Sequence, residues 1–316
     1  MNILVTGATG FIGANLVQRL LTEGYKVRVF LRNKEQKKLW NNKKIETFVG
    51  NFEDYQSIKE AMKEIDIVYH LAAIRDKWGT PKEEYFKVNV EYVKNLLEAS
   101  KESEIKQFIY CSSISVTTEP FCHHLYGQTK KKAEKIVRQF QNKGLPITIV
   151  RPVITYGPGD NGMVYKLINM INKNRYLTVG NGQNRVHLCY IDDLINGFLL
   201  VLNNKKAFGQ TYCFCGPRPI TINDLVKIIS NLLNKRVSAI HIPRFIAKII
   251  AWWMELIYKI LSLKGEPLIN IKKIETMTVD RCFDYKKAKK DLGYKPIIDY
   301  QEGLEKTIAW FEKEQG

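Results

Sequence analysis

The chain has 316 residues, 45% of them hydrophobic, which is enough length and apolar content for two packed domains. Its 49 lysines and arginines against 32 acids give a net charge of +17. The lysines stand in runs such as Lys34-Glu35-Gln36-Lys37-Lys38, Lys43-Lys44 and Lys130-Lys131-Lys132, interleaved with acids and without a stacking-aromatic motif. That pattern reads as a lysine-rich composition rather than nucleic-acid binding, and leaves anionic substrates or anionic lipid as what the charge would attract.

The opening Met1-Asn2-Ile3-Leu4-Val5 passes straight into a strand, with no leader-like pattern. The six cysteines, Cys111, Cys122, Cys189, Cys213, Cys215 and Cys282, have neither zinc-type spacing nor the density of a disulfide framework. A cytoplasmic protein with reduced thiols and no metal is expected. His123-His124 resemble a metal pair, but no third ligand is recognisable in sequence, so they read as a solvated loop.

In chain order, the run at 2–6 predicts a strand that enters Gly7-Ala8-Thr9-Gly10-Phe11-Ile12-Gly13, where a helical pattern starts at once and continues over 11–23. Gly7 permits a tight turn, Gly10 lets backbone approach a pyrophosphate, and Gly13 lets helix pack on strand. The spacing Gly-x-x-Gly-x-x-Gly departs from the general Gly-x-Gly-x-x-Gly fingerprint. Further strands are predicted at 26–31, 45–49, 67–71, 107–111 and 146–150, with helices at 55–64, 83–102 and 127–143. Such alternation predicts a parallel sheet covered on both faces.

Tyr126 and Lys130, one turn apart near the start of the fourth of these helices, share a helix face. A tyrosine base near neutral pH needs its pKa of about 10 lowered by about 3 units, roughly 4 kcal/mol of phenolate stabilisation, and a neighbouring cation supplies that. After Arg151-Pro152 the rhythm changes. Helices are predicted at 162–174 and at 221–234, the latter capped by Thr221 and Asn223, and strands at 186–191 and 210–214. The expected division is 1–165 and 166–316, with some later segments crossing back. In 244–261, Lys248, Glu255 and Lys259 form one narrow stripe on a broad apolar surface that includes Trp252-Trp253. The charges argue against a span; a pocket wall, a peripheral membrane contact and a homodimer contact stay open.

Thr6-Gly7-Ala8-Thr9-Gly10-Phe11-Ile12-Gly13, His70-Leu71-Ala72-Ala73, Asn89-Val90, Tyr110-Cys111-Ser112-Ser113, Tyr126-x-x-x-Lys130 and Arg151-Pro152-x-x-x-Tyr156-Gly157-Pro158-Gly159 together resemble the extended short-chain dehydrogenase/reductase superfamily, the NAD-dependent epimerase/dehydratase family. The likeness continues through Tyr190-Ile191-Asp192-Asp193-Leu194 and Lys287-Ala288-Lys289-Lys290-Asp291-Leu292-Gly293-Tyr294-Lys295-Pro296, so it covers nearly the whole chain. It implies a Rossmann-type doubly wound parallel sheet that binds NAD(P), with a smaller C-terminal α/β substrate-binding domain.

By that resemblance Tyr126 is the general acid/base, Lys130 holds the nicotinamide ribose and lowers the tyrosine pKa, and Ser113 hydrogen-bonds the substrate oxygen. Gly7, Thr9, Gly10, Phe11, Ile12 and Gly13 would cradle the cofactor. Asn51 would lie at adenine, Leu71, Ala72 and Ala73 along the ribose and phosphates, and Pro152 and Val153 at the carboxamide, with Phe52 and Asn89 also among the cofactor-binding residues. His70 reads as a packed residue. At the end of the second strand Leu31 offers no carboxylate to the ribose, and Arg32 resembles the phosphate-binding arginine of dihydroflavonol-reductase-like members, which favours NADP over NAD.

Gly180-Asn181-Gly182-Gln183-Asn184-Arg185-Val186-His187 resembles the 3β-hydroxysteroid dehydrogenase-like branch without a gap; the diphosphate-binding arginine of nucleotide-sugar epimerases falls on Val186, with Arg185 one position away. The expected activity is interconversion of a secondary alcohol and a ketone on an apolar, terpenoid-like or lipid-like small molecule. A nucleotide-sugar epimerase or dehydratase is the alternative, and a non-catalytic nucleotide-binding scaffold is the third reading.

Overall fold

Ile3 and Val5 pack on one side of the first strand and Leu4 on the other, and all three are fully buried, so both faces of the sheet are covered. The computed structural model describes residues 1–40, 45–75, 78–237, 240–263 and 265–315. The Lys43-Lys44 run lies outside the described residues.

Strands β1 (Asn2–Thr6), β2 (Lys26–Leu31), β3 (Ile45–Val49), β4 (Ile67–His70), β5 (Gln107–Cys111) and β6 (Ile147–Pro152) are parallel and lie in the order β6, β5, β4, β1, β2, β3. Thr211–Phe214 adds a seventh strand beside β6, so a late segment does return to the first sheet. Val5 pairs with Val29 on one side and Tyr69 on the other, which puts the turn after β1 at the middle of the sheet. The strand order reverses between β1 and β4, where open parallel sheets bind ligands.

Helix α1 (Phe11–Thr22) covers one face together with the later helix Ile191–Val201, through Leu16, Val17, Leu20, Leu194 and Phe198. On the other face lie α2 (Tyr55–Ala61), α3 (Lys82–Phe86), α4 (Tyr92–Glu102) and α5 (Leu125–Asn142), which bury Ile58, Val93, Leu97, Ala133 and Val137 against Leu4, Val68 and Phe108. The helix expected over 83–102 carries a wide π turn at Lys87–Glu91 between α3 and α4, and Asn89 sits in it.

The C-terminal part contains β7 (Ile154–Tyr156) paired with Leu188–Tyr190, then α6 (Met163–Asn172), α7 (Ile191–Val201), α8 (Ile222–Leu232), α9 (Arg244–Ile260), α10 (Ile271–Thr278), α11 (Lys286–Leu292) and α12 (Tyr300–Gln315). The strand expected over 186–191 is split at His187, whose ring nitrogens lie 3.0 and 2.9 Å from the carbonyls of Phe283 and Gly216. Thr221 caps α8 by accepting the Asp224 N–H, whereas the Asn223 amide donates to the Asn181 carbonyl and ties down a loop instead.

Candidate active site

Most of the candidate site residues stand at the carboxyl ends of the parallel strands or in the helices that start there. Gly7 follows β1, Arg32 follows β2, Asn51 and Phe52 follow β3, Leu71 to Ala73 follow β4, Ser113 follows β5, and Pro152 ends β6 with Val153 next. Gly7 has φ +73°, and a Cβ on it would fall 2.5 Å from the Ala72 nitrogen; one on Gly13 would fall 2.2 Å from the Gly7 carbonyl oxygen. Strand, turn and helix are thus in direct backbone contact. Gly10 differs: its Cβ would meet only the Gly7 oxygen, at 3.3 Å, so the chain itself scarcely needs glycine there. Gly10 is exposed, caps α1 without a side chain, and is followed by a first turn free of acids. Those features fit a dinucleotide's pyrophosphate at the uncapped N–H groups of α1, with exposed Thr9 and half-buried Phe11 and Ile12 beside it.

Helix α5 starts at Leu125, so Tyr126 lies in its first turn, half-buried, while Lys130 one turn later is only 2% exposed. The Lys130 ammonium donates to the Cys111 carbonyl at 2.7 Å and lies 4.8 Å from the centre of the Tyr110 ring. Burial pushes its pKa down to about 8, against the opposing pull of Cys111 and Glu134. Ser113 caps the short turn Ile114–Val116, which packs on α5; its Oγ accepts the Ser115 N–H at 3.1 Å and donates to Ser115 Oγ at 3.1 Å. The serine segment, the tyrosine turn and the lysine therefore share one corner of the sheet edge. Gly127 lets α5 begin there, because a Cβ on it would fall 2.2 Å from the Phe121 carbonyl oxygen.

Other candidates divide into open and enclosed groups. Arg32 and Asn51 are exposed, and Asn51 Oδ1 accepts the Glu53 N–H at 3.0 Å. Leu31 is 1% exposed within the core, so the residue that faces outward at the end of β2 is Arg32. Phe52 is buried in a stack with Phe30 at 4.3 Å and Tyr92 at 5.4 Å. Leu71, Ala72 and Ala73 are half-buried beside the glycine turn, and Pro152 and Val153 are buried. Asn89 is fully buried; its Oδ1 accepts the Ile74 N–H at 2.8 Å, and its Nδ2 donates to the Ile74 carbonyl at 2.9 Å and Thr129 Oγ1 at 3.1 Å. Its amide braces the loop after β4 against α5. His70 stacks on Tyr110, contacts Thr6 Oγ1 at 2.7 Å, and is held neutral by burial, with a pKa of about 3.

Several residues escaped the sequence reading. Glu134, buried on α5, accepts Ser112 Oγ at 2.6 Å and takes two bonds from Arg151, 2.8 Å from Nε and 2.6 Å from the guanidinium NH2. Thr129 joins Asn89 to the Tyr126 carbonyl. At the mouth, His123 and His124 part company: His123 meets Glu119 at 2.8 Å, with Cys122 close by, whereas His124 pairs with Glu275 of α10 at 2.9 Å. Glu119, Cys122 and His123 lie close enough together to reach one ion, but His124 is turned away from them to Glu275, so the two adjacent histidines do not form a pair of ligands. Arg281, buried over the Phe121 ring at 5.1 Å, donates to the Thr276 carbonyl at 2.6 Å, and burial lowers its pKa to about 10. Val186 is fully buried, and Arg185 beside it is exposed.

The chain is similar to known proteins along nearly its whole length. A 3-beta-hydroxysteroid dehydrogenase of Mycolicibacterium neoaurum is 30% identical over 98% of this chain and 91% of its own length. The N-acetyl-alpha-D-glucosaminyl-diphospho-ditrans,octacis-undecaprenol 4-epimerase of Escherichia coli O157:H7 is 26% identical over 98% and 95%. Among solved structures, UDP-glucuronic acid 4-epimerase from Bacillus cereus in complex with NAD superposes with a TM-score of 0.80 at 25% identity, covering all of both chains. The description "NAD dependent epimerase/dehydratase family" matches residues 3–213, and the chain belongs to that family.

Proposed function

We propose that this protein is an NAD(P)-dependent oxidoreductase that interconverts a secondary alcohol and a ketone on an apolar, lipid-like small molecule. The observation that carries it is the packing of the Ser113 turn on the helix that bears Tyr126 and buried Lys130, at the carboxyl edge of the sheet and beside a glycine turn that leaves α1 without a side-chain cap. When bound, the nicotinamide cofactor supplies or accepts the hydride. Tyr126 then gives the substrate oxygen its proton in reduction and removes it in oxidation, through the phenolic oxygen. Ser113 donates a second hydrogen bond to that oxygen as negative charge develops on it. Lys130 keeps a positive charge one turn below Tyr126, which favours the phenolate, and the Cys111 carbonyl fixes its direction.

The steroid-named relative supports the substrate class, whereas the 4-epimerase of a polyprenol-linked sugar belongs with the epimerase alternative. Buried Val186, where nucleotide-sugar epimerases carry an arginine for the diphosphate, weighs against a nucleotide sugar. For the cofactor we infer NADP, because outward-facing Arg32 at the end of β2 suits a 2′-phosphate and Leu31 before it brings no carboxylate for the free ribose hydroxyl. Asn89 acts as a brace for the cofactor loop rather than a direct ligand.

The test is Tyr126→Phe, which removes the titrating hydroxyl and little volume. Turnover of a 3β-hydroxysteroid or related alcohol is expected to fall by roughly 100- to 10,000-fold with cofactor affinity unchanged. Lys130→Ala should weaken both. Wild-type turnover by the Tyr126 variant would refute the assignment.

A further inference from the structure

We propose that α9 is an interfacial anchor that lies flat on an anionic lipid surface, with its apolar face in the headgroup region. Only its two alanines, Ala247 and Ala251, are buried, against Ile274 of α10. The opposite half of the helix is apolar and open: Phe245 is 66% exposed, Trp252 51% and Trp253 54%, joined by Ile249, Ile257 and Ile260. At 150–250 Å² per aromatic side chain, the three aromatics alone leave roughly 300 Å² uncovered, already the size of a functional patch. No helix among the described residues is long and apolar enough to cross a membrane, so the segment is suited to lying on one.

The charges select the occupant. Arg244, Lys248, Glu255 and Lys259 form one stripe along the edge of the apolar face, where long basic side chains can reach headgroups while their stems stay apolar. Glu255, the only acid on the helix, is turned inward, accepting the Ile271 N–H at the start of α10 at 2.8 Å. Among the described residues none of the three bases makes an ion pair, so the face offers lipid only positive charge. A second copy would bring this basic edge against an equivalent one and set +17 against +17, which disfavours self-association.

The position also suits access to the site. Helix α10, on which α9 rests, is tied by Glu275 to His124, two residues before Tyr126. An α9 lying on lipid would hold the mouth of the active site near the bilayer; this last step rests on the lipid-like substrate proposed above, whereas the docking itself does not.

Flotation of the full chain with vesicles tests it without any substrate, so failure here and failure of the oxidoreductase reading are separable. The chain is expected to float with phosphatidylcholine vesicles containing phosphatidylglycerol and to bind pure phosphatidylcholine weakly. Lys248→Gln and Lys259→Gln should each lower binding about fivefold. Trp252→Ser with Trp253→Ser should lower it about tenfold or more while cofactor binding persists, since both side chains are surface groups. Tryptophan emission should shift to the blue on anionic vesicles. A wild type that fails to float overturns the proposal. So does flotation unchanged by the tryptophan pair, or a dimer that the pair of substitutions dissociates without any lipid binding.

Discussion

Lys130 is a cation placed where water cannot solvate it, and its pKa of about 8 makes its charge sensitive to pH near the working range. The sign follows from the direction of the shift. Burial lowers the value, so the ammonium is present below about pH 8 and is lost as pH rises through it, taking away the charge that the proposed mechanism uses to favour the Tyr126 phenolate. We expect kcat/KM to bend downward above about pH 8, and a profile flat from neutrality to about pH 10 would contradict this. His70, held near pKa 3, contributes no limb in that range. Arg32 sets a separate expectation. A hydrogen bond to a charged group contributes roughly 1.5–3 kcal/mol, so Arg32→Ala should weaken NADP about 10- to 100-fold and NAD far less. Equal losses for both cofactors would mark Arg32 as a mere surface residue. Because Leu31 is buried, a carboxylate at 31 would enter the core, and the substitution that should favour NAD is Arg32→Asp.

Helix α5 carries both Tyr126 and Lys130, and what fixes its rotation is the buried Glu134 with Ser112 from the end of β5 and Arg151 from β6. Glu134→Ala would leave Arg151 without its carboxylate, and breaking such a pair costs about 3–5 kcal/mol; the urea midpoint should drop accordingly, and a loss below about 1 kcal/mol would show that packing alone holds α5. Sequence carried the sheet well. The first five predicted strands fall within one residue of the observed ones, because β-branched runs bounded by turns have few other uses. Glu134 escaped because Lys130-Lys131-Lys132-Ala133-Glu134 reads as a solvated face, and nothing local reveals that Arg151 will come to it. The π turn around Asn89 escaped for a related reason: its cause is a distant partner, Ile74, rather than a local breaker. The mouth cluster of Glu119, Cys122 and His123 needs the folded turn to exist at all.

Across the whole molecule, the candidate cofactor residues gather at the carboxyl edge of the sheet, and helix α9 of the C-terminal part is apolar on its open side. The two chemistries of the family differ in what they do to the cofactor. An epimerase oxidises and then reduces the same substrate, leaving the nicotinamide unchanged overall, whereas an alcohol oxidoreductase converts one cofactor for each substrate. The decisive measurement follows nicotinamide absorbance while purified protein is given a 3β-hydroxysteroid or a UDP-hexose with each cofactor in turn. Stoichiometric reduction of the cofactor with the apolar alcohol, faster with NADP and abolished in Tyr126→Phe, is the expected result; conversion of the UDP-hexose to its epimer with no net cofactor change, and no reaction of the alcohol, would contradict it.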